Sequence, residues 1–366
     1  SYADKNGYIF GMTNTAYMAA ARELALGNPN VTWETALKQN YGIDAYFFDD
    51  RLKLTADYFR ENRRDILMLR TSIPSLISMN GLLKPVNIGK VNNHGYEIDL
   101  KWSDRIKDFS YYINGNISYS KNKIIFQDEV EPNEPYMWRT GNEVGARFGY
   151  VAQGFYDVDD FNEDGTLRAD LPQPQGNKKP GDVKCADLNG DNVIDSDDVT
   201  KIGNPKRPAY TFGLNFGGEY KGFFASMNWT GVAQCDMLMS NAYMRPFFGA
   251  QVLYQYMADG RWTPETAATA EYPRLSIAST ENLATSRVWL KDASYIKLKN
   301  LTVGYNITSQ KILKAIGASK LSVQFTGYNL LTFDKLKIFD PEGELTRDDN
   351  TYPVSYTHLR AHETCA

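Results

Sequence analysis

The sequence predicts an all-β chain whose antiparallel strands form part of a transmembrane β-barrel with long extracellular loops. Three observations predict it. The composition favours strands, apolar and polar residues alternate with period 2 in many segments, and short and long connections alternate along the chain.

Composition sets the class. Of 366 residues 13 % are aromatic, with 24 Tyr and 18 Phe. Aromatic and β-branched side chains suit a pleated, half-buried surface. No apolar run reaches the roughly 18 residues of a membrane helix. Barrel strands pass that test unseen, because alternation averages out their hydropathy. The net charge of −4 leaves no basic footprint for nucleic acid. Cys185, Cys235 and Cys365 fit neither a zinc site nor a disulfide framework.

Alternation marks the strands. Tyr96, Ile98, Leu100 and Trp102 alternate with Glu97, Asp99 and Lys101. Tyr111, Ile113, Ile117 and Tyr119 alternate with a Ser/Asn set that includes Asn114 and Asn116. The same rhythm runs through 52–58, 210–216, 223–229, 301–307 and 321–325, and 41–48 brings the total to about eight. Most windows are shorter than a tilted span of about 9–11 residues, so the strands are expected to extend beyond them. The polar sets should line a wet interior or contact an internal plug.

Connections separate a barrel from a soluble sandwich, which also alternates. Asp49–Arg51, Ser103–Asp108 and Gly218–Gly222 read as tight turns, whereas 62–91, 121–208 and 233–292 read as long unstructured links. Porin-like barrels show this pattern, with short periplasmic turns and long outer loops. The link 308–320 contains a short helical stretch, Gln310 to Ile316, ended by Gly317 and assigned by strand parity to the periplasmic side. Phe47, Tyr58, Tyr96, Trp102, Tyr119, Tyr210, Trp229 and Tyr305 stand at window ends, where barrels carry aromatic girdles.

One long loop carries calcium-loop spacing. Asp187, Asn189, Asp191, Asp195 and Asp198 offer side-chain oxygens and Val193 a carbonyl, a donor set suited to Ca²⁺. Asn192 replaces the usual Gly at the sixth position but tolerates left-handed backbone. Asp198 is shorter than the usual Glu at the twelfth, and Ile194 should point inward. The similar start Asp160–Gly165 lacks later ligands and reads as a turn. Such a loop suits an exterior rich in calcium, as a brace and not as a catalyst.

Several stretches together resemble SusC/RagA-type TonB-dependent transporters. They include Leu26–Glu34, Asn40–Ala45, Val91–Ile98, Pro180–Lys184, Ile202–Pro205, Ala293–Tyr305, Gly327–Phe333 and Phe339–Glu342. The resemblance covers residues 1–353. It implies a portion of a 22-stranded barrel filled by a plug and closed over by a SusD-type surface lipoprotein. It also implies TonB as the energy coupler, outer-membrane lipids as surroundings, and an oligosaccharide or peptide fragment as cargo. By that resemblance the plug, the TonB box, the early strands and the final strand are expected to lie outside this sequence, and eight to ten strands cannot close such a barrel. Residues 354–366 read as a translated sequencing adapter, and Ser1 is not an initiator, so an upstream start is expected. His358 and His362 fall in that tail, which leaves His94 alone.

Two other readings compete. A secreted or surface-attached calcium-binding β protein with a glycan-binding role would carry charges on both faces of its strands. An enzyme would need a placed carboxylate pair or a nucleophilic triad, and the sequence singles out neither. Trp138, Tyr243, Phe247, Phe248 and Tyr254 in the long loops are the candidates for stacking on a sugar ring.

Overall fold

The computed structural model describes residues 8–10, 16–18, 28–73, 84–239, 243–244, 246–247, 253–276, 281–307, 309–336 and 340–342. Phe248 and the 354–366 tail lie outside them.

A single antiparallel sheet of eight strands dominates, with every strand beside its neighbours in the chain. The strands are β1 (Thr35–Phe47), β2 (Leu52–Met68), β3 (Val86–Ile106), β4 (Phe109–Phe126), β5 (Tyr210–Tyr220), β6 (Phe223–Ala233), β7 (Tyr295–Asn306) and β8 (Ser322–Asp334). They run from 11 to 21 residues, beyond the alternating windows, as a tilted membrane span requires. No helix among the described residues is long and apolar enough to cross a membrane.

The turns at 48–51, 107–108 and 221–222 join strands at one end of the sheet, where β7 also ends and β8 begins; β2, β4 and β6 end, and β3, β5 and β7 begin, at the other. Two turns are tighter than the sequence predicts. Lys107 (φ 56°) and Lys221 (φ 47°) take left-handed backbone, so two residues reverse the chain and the strands continue to Ile106 and Tyr220. The link from β7 to β8 holds a short helix, Gln310–Ala315, closed by Gly317 at φ 67°.

Register then sorts the faces. One row across the sheet reads Ile43, Ala56, Ile98, Ile117, Phe212, Gly231, Ile296, Phe333. The row two residues nearer the turns reads Ala45, Leu54, Leu100, Gly115, Leu214, Trp229, Leu298, Leu331. Neither row contains a charge, and Ile43, Ile98, Leu100, Leu214 and Phe333 are exposed. The row between them carries Asp44, Thr55, Asp99 and Asn116, and the row just beyond them on the turn side carries Lys53, Lys101, Asn114, Asn215, Asn228 and Asn300. A surface protein with charges on both faces would not look like this; a wall between lipid and water does.

The height fits too. On β5 the outward Tyr210 and Tyr220 are ten residues apart, and on β4 so are Tyr119 and Phe109. At about 3.3 Å per residue and a tilt of about 40°, that span rises about 25 Å, the height of a barrel's apolar band. Tyr41, Tyr58, Tyr96, Tyr119 and Tyr210 form one cross-strand row towards the loop end. Trp229 is not at an interface: β6 continues to Ala233, so its ring sits mid-strand, stacked on Phe333 at 6.4 Å. Gly95 is required by close approach, since a Cβ there would lie 2.0 Å from the Tyr119 carbonyl oxygen and 2.5 Å from the Phe59 ring.

The long loops are not the unstructured links that the sequence suggests. Arg147–Tyr150 pairs with Val199–Gly203, Ala152–Phe155 with Val183–Cys185, and Asp236–Leu238 with Leu290–Asp292. Cys235, Met237, Met239, Tyr243, Met257, Tyr272 and Trp289 build a core for the 234–294 loop. Asp182 joins that loop to the preceding one. It is 0 % exposed and accepts hydrogen bonds from Arg274 Nε (2.7 Å), Asn282 Nδ2 (2.9 Å) and the Lys179 N–H (2.9 Å). Asn282 also accepts from the Val183 N–H, and its own carbonyl accepts from Trp289 Nε1. Gly181 (φ 85°) lets the chain pass Trp262, where a Cβ would come within 2.4 Å of the ring.

Removing one partner of a buried ion pair costs about 3–5 kcal/mol. Asp182→Ala in the full-length receptor should therefore open both loops to limited proteolysis, between 174 and 209 and between 234 and 290, while the barrel strands stay protected. Unchanged cleavage would contradict this role.

Candidate functional site

The polar face of the sheet forms a concavity of about 790 Å³. Asp57, Glu97, Asp99, Asn114, Asn116 and Asn228 line it, together with Ser118, Asn215 and hydroxyls from Thr55, Thr211 and Thr230. Of the inward set read from the sequence, Glu97, Asp99, Asn114 and Asn116 meet here, and Lys101 pairs with Asp99 at 3.1 Å. Neighbouring strands bond side chain to side chain. Thr55 donates to Asp44 at 2.7 Å, Ser118 donates to Glu97 at 3.2 Å, and Thr302 meets Thr326 at 3.1 Å. The wall offers many weak hydrogen-bonding groups and no nucleophile–base pair. Chemically it can hydrate, and pass, a polar molecule.

A second cavity, of about 1160 Å³, lies at the loop end of β2–β4 under the segments around 143–147 and 204–209. Arg63 binds Glu61 (2.7 Å) and Glu34 (2.5 Å) there, which anchors the stretch before β1. Asn87 fixes the same stretch by accepting from the Thr32 N–H (3.0 Å) and donating to the Thr32 carbonyl (2.8 Å). Glu143 is shared by Lys201 (2.5 Å) and Lys121 (3.0 Å). Burial pushes its carboxyl up, but the two lysine hydrogen bonds outweigh burial and hold it at about 2.

At the loop end of β7, Lys297 is 3 % exposed and reaches Glu342 (2.9 Å) and Asp340 (3.1 Å); Lys299 also binds Glu342. The Asp340–Glu342 segment thereby folds back on the strand. The roles of this stretch and of the one around Asp182 are not readable from local sequence. The partners Lys297, Arg274 and Asn282 lie far away in the chain, and no local spacing announces them.

The acidic loop closes on itself. Asp187 accepts from the Gly190 (2.6 Å) and Asn192 (2.9 Å) N–H groups, and Asp191 accepts from that of Val193 (2.8 Å). Asp198, 0 % exposed, accepts from Leu188 (2.6 Å) and Asp195 (2.9 Å), while Asp195 caps Asp197. Asn192 is left-handed at φ 66° and Ile194 is buried. Asn189 bonds Asp191 through its amide, and the Val193 side chain faces solvent. Among the described residues no three His, Cys, Asp or Glu side chains stand in metal-holding geometry. The stretch from Asp160 forms a turn, with Phe161 bridged to Leu167.

The aromatic candidates separate. Tyr243 is 3 % exposed and belongs to the loop core, so its faces are taken by packing and not by a ligand. Tyr254 lies between Tyr243 (5.6 Å) and Tyr256 (5.7 Å), both stacked on it. Phe247 is 45 % exposed and Trp138 is half-buried. Cys185 and Cys235 are free thiols that burial pushes up to about 11.

Known proteins share this arrangement. The family described as TonB dependent receptor-like, beta-barrel matches residues 5–330. The chain is 30 % identical over 349 residues to TonB-dependent receptor P3 of Formosa agariphila, covering 88 % of this chain and 32 % of that protein. To TonB-dependent receptor SusC of Bacteroides thetaiotaomicron it is 26 % identical over 377 residues, covering 96 % and 33 %. The structure of the RagAB peptide transporter overlays with a TM-score of 0.66 at 20 % identity, over 93 % of this chain and 35 % of that one, a likeness of fold. The chain thus spans about a third of the length of the proteins that it matches. An eight-stranded wall with one face for lipid and one for water agrees with the match over residues 5–330: the chain belongs to the TonB-dependent receptor β-barrels of the outer membrane, a SusC/RagA-like family of receptors and not of enzymes.

Proposed function

We propose that this chain supplies barrel wall and outer loops to a TonB-dependent importer of oligosaccharide or peptide fragments, working beneath a SusD-type surface lipoprotein. The sorting of faces carries the reading. An exterior whose rows from Tyr96 to Trp102 carry no charge backs a concave wall of amides, hydroxyls and carboxylates. Such a wall binds plug or cargo through exchangeable hydrogen bonds, so that neither is held tightly. The RagAB relative, a peptide transporter by its description, supports import of a polymer fragment.

Cells carrying the full-length receptor should take up a fluorescent oligosaccharide or oligopeptide only while TonB is intact. Trp138→Ala and Phe247→Ala should weaken binding, since a stacked aromatic contact is worth about 0.5–1.5 kcal/mol. Uptake that persists without TonB would overturn the reading.

The acidic loop enters as a brace. Its turns and the buried Ile194 already hold it in shape, and its donors are those of a hard-cation site: Asp187, Asn189, Asp191, the Val193 carbonyl, Asp195 and Asp198. Calcium would add to that brace. At about 1 mM calcium the 187–198 segment of the full-length receptor should resist proteolysis more than in chelator. Equal cleavage would leave the loop braced by its own hydrogen bonds alone.

A further inference from the structure

The outer face carries a second row that import does not need. His94 pairs in register with Arg60 on one side and with Lys121 on the other. Each stands two residues towards the loops from Tyr96, Tyr58 and Tyr119 respectively, so period-2 alternation puts it on the same outward face. Lys123 follows Lys121 on that face, and all four residues are exposed. Strands about 4.8 Å apart bring Arg60, His94 and Lys121 within about 10 Å. Of the four, only Lys121 forms an ion pair among the described residues, with Glu143.

The turn end has a different character. There Arg51 faces Asp104 at 3.4 Å and Lys221 faces Asp108 at 4.0 Å, so the charges are balanced. Positive charge without acidic residues in its row occurs on the loop side, the side that faces outwards. Two residues along a tilted strand rise about 5 Å. That lifts the row from the tyrosine level into the headgroup layer, and the long Arg60 and Lys123 side chains can reach further upward.

We propose that the outer face of β2–β4 binds the phosphate groups of an anionic lipid in the outer leaflet. Arg60, His94 and Lys123 supply the donors, and Tyr96 and Tyr119 pack against the acyl region below. Charge complementarity and continuity with the aromatic row select a lipid as the occupant. The inference rests on the outer-membrane placement and is independent of what the receptor imports.

Native mass spectrometry of the full-length receptor, loaded with bisphosphorylated lipid A or its dephosphorylated form, tests this. Wild type should retain the phosphorylated lipid preferentially, by about fivefold for each basic contact. The triple variant Arg60→Gln, His94→Gln, Lys123→Gln should lose the preference, and the lumenal Lys101→Gln should keep it. Heat-modifiable gel mobility reports whether the triple variant has formed its barrel. If it has not, Lys123→Gln alone should lose about fivefold. An undiminished preference in the variant, no preference in wild type, or displacement of the lipid by an equal concentration of inorganic phosphate would each overturn the proposal.

Discussion

Inside a hydrocarbon layer no water is present to pair a peptide N–H or C=O, so every backbone group must find its partner within the protein. That constraint explains the sheet more directly than any side chain does. Register runs unbroken from β1 to β8 apart from bulges, several of them at the loop ends of β2 and β3 near Arg63–Leu67 and Lys90–Val91. Once register is fixed, period 2 assigns each side chain to lipid or to lumen, and a one-residue slip would carry Glu97 and Asp99 into the acyl chains. β1 and β8 each keep one unpaired edge among the described residues, as expected for part of a larger barrel.

Above the membrane, water returns and the rules change. The outer loops hold their shape through a few buried ionic joints set in small apolar cores. Asp182 ties two loops together, Lys297 recruits Asp340 and Glu342, and Glu143 is clamped by two lysines. Buried ion pairs add little net stability over apolar packing, but breaking one is costly, so they fix one arrangement against others. A loop assembly organised in this way presents a defined surface at the mouth of the barrel.

The strand faces were legible because alternation needs only local sequence. The 110–120 window gave β4 its faces at once, and Glu97 and Asp99 of the 96–102 window do line the concavity. Girdle positions were less legible. Trp229 stood at the edge of its window, but β6 runs on for four more residues and leaves that ring in mid-membrane. The loop ribbons escaped notice because strands of two to four residues have no period to read. In the acidic loop the left-handed Asn192 and the buried Ile194 were foreseeable, whereas the burial of Asp198 was not, since its partners are backbone N–H groups. Tyr243 shows the same limit: composition does not distinguish an aromatic that awaits a ligand from one that builds a loop core.

Everything above depends on the two faces of one sheet. The most direct measurement is the unfolding free energy in lipid vesicles of the full-length receptor carrying Leu100→Lys on the outer face or Asn114→Lys on the lumenal face of the neighbouring strand. Leu100→Lys should lose about 2–4 kcal/mol and Asn114→Lys should change little. Equal losses, or a larger loss at Asn114, would contradict the sorting of faces.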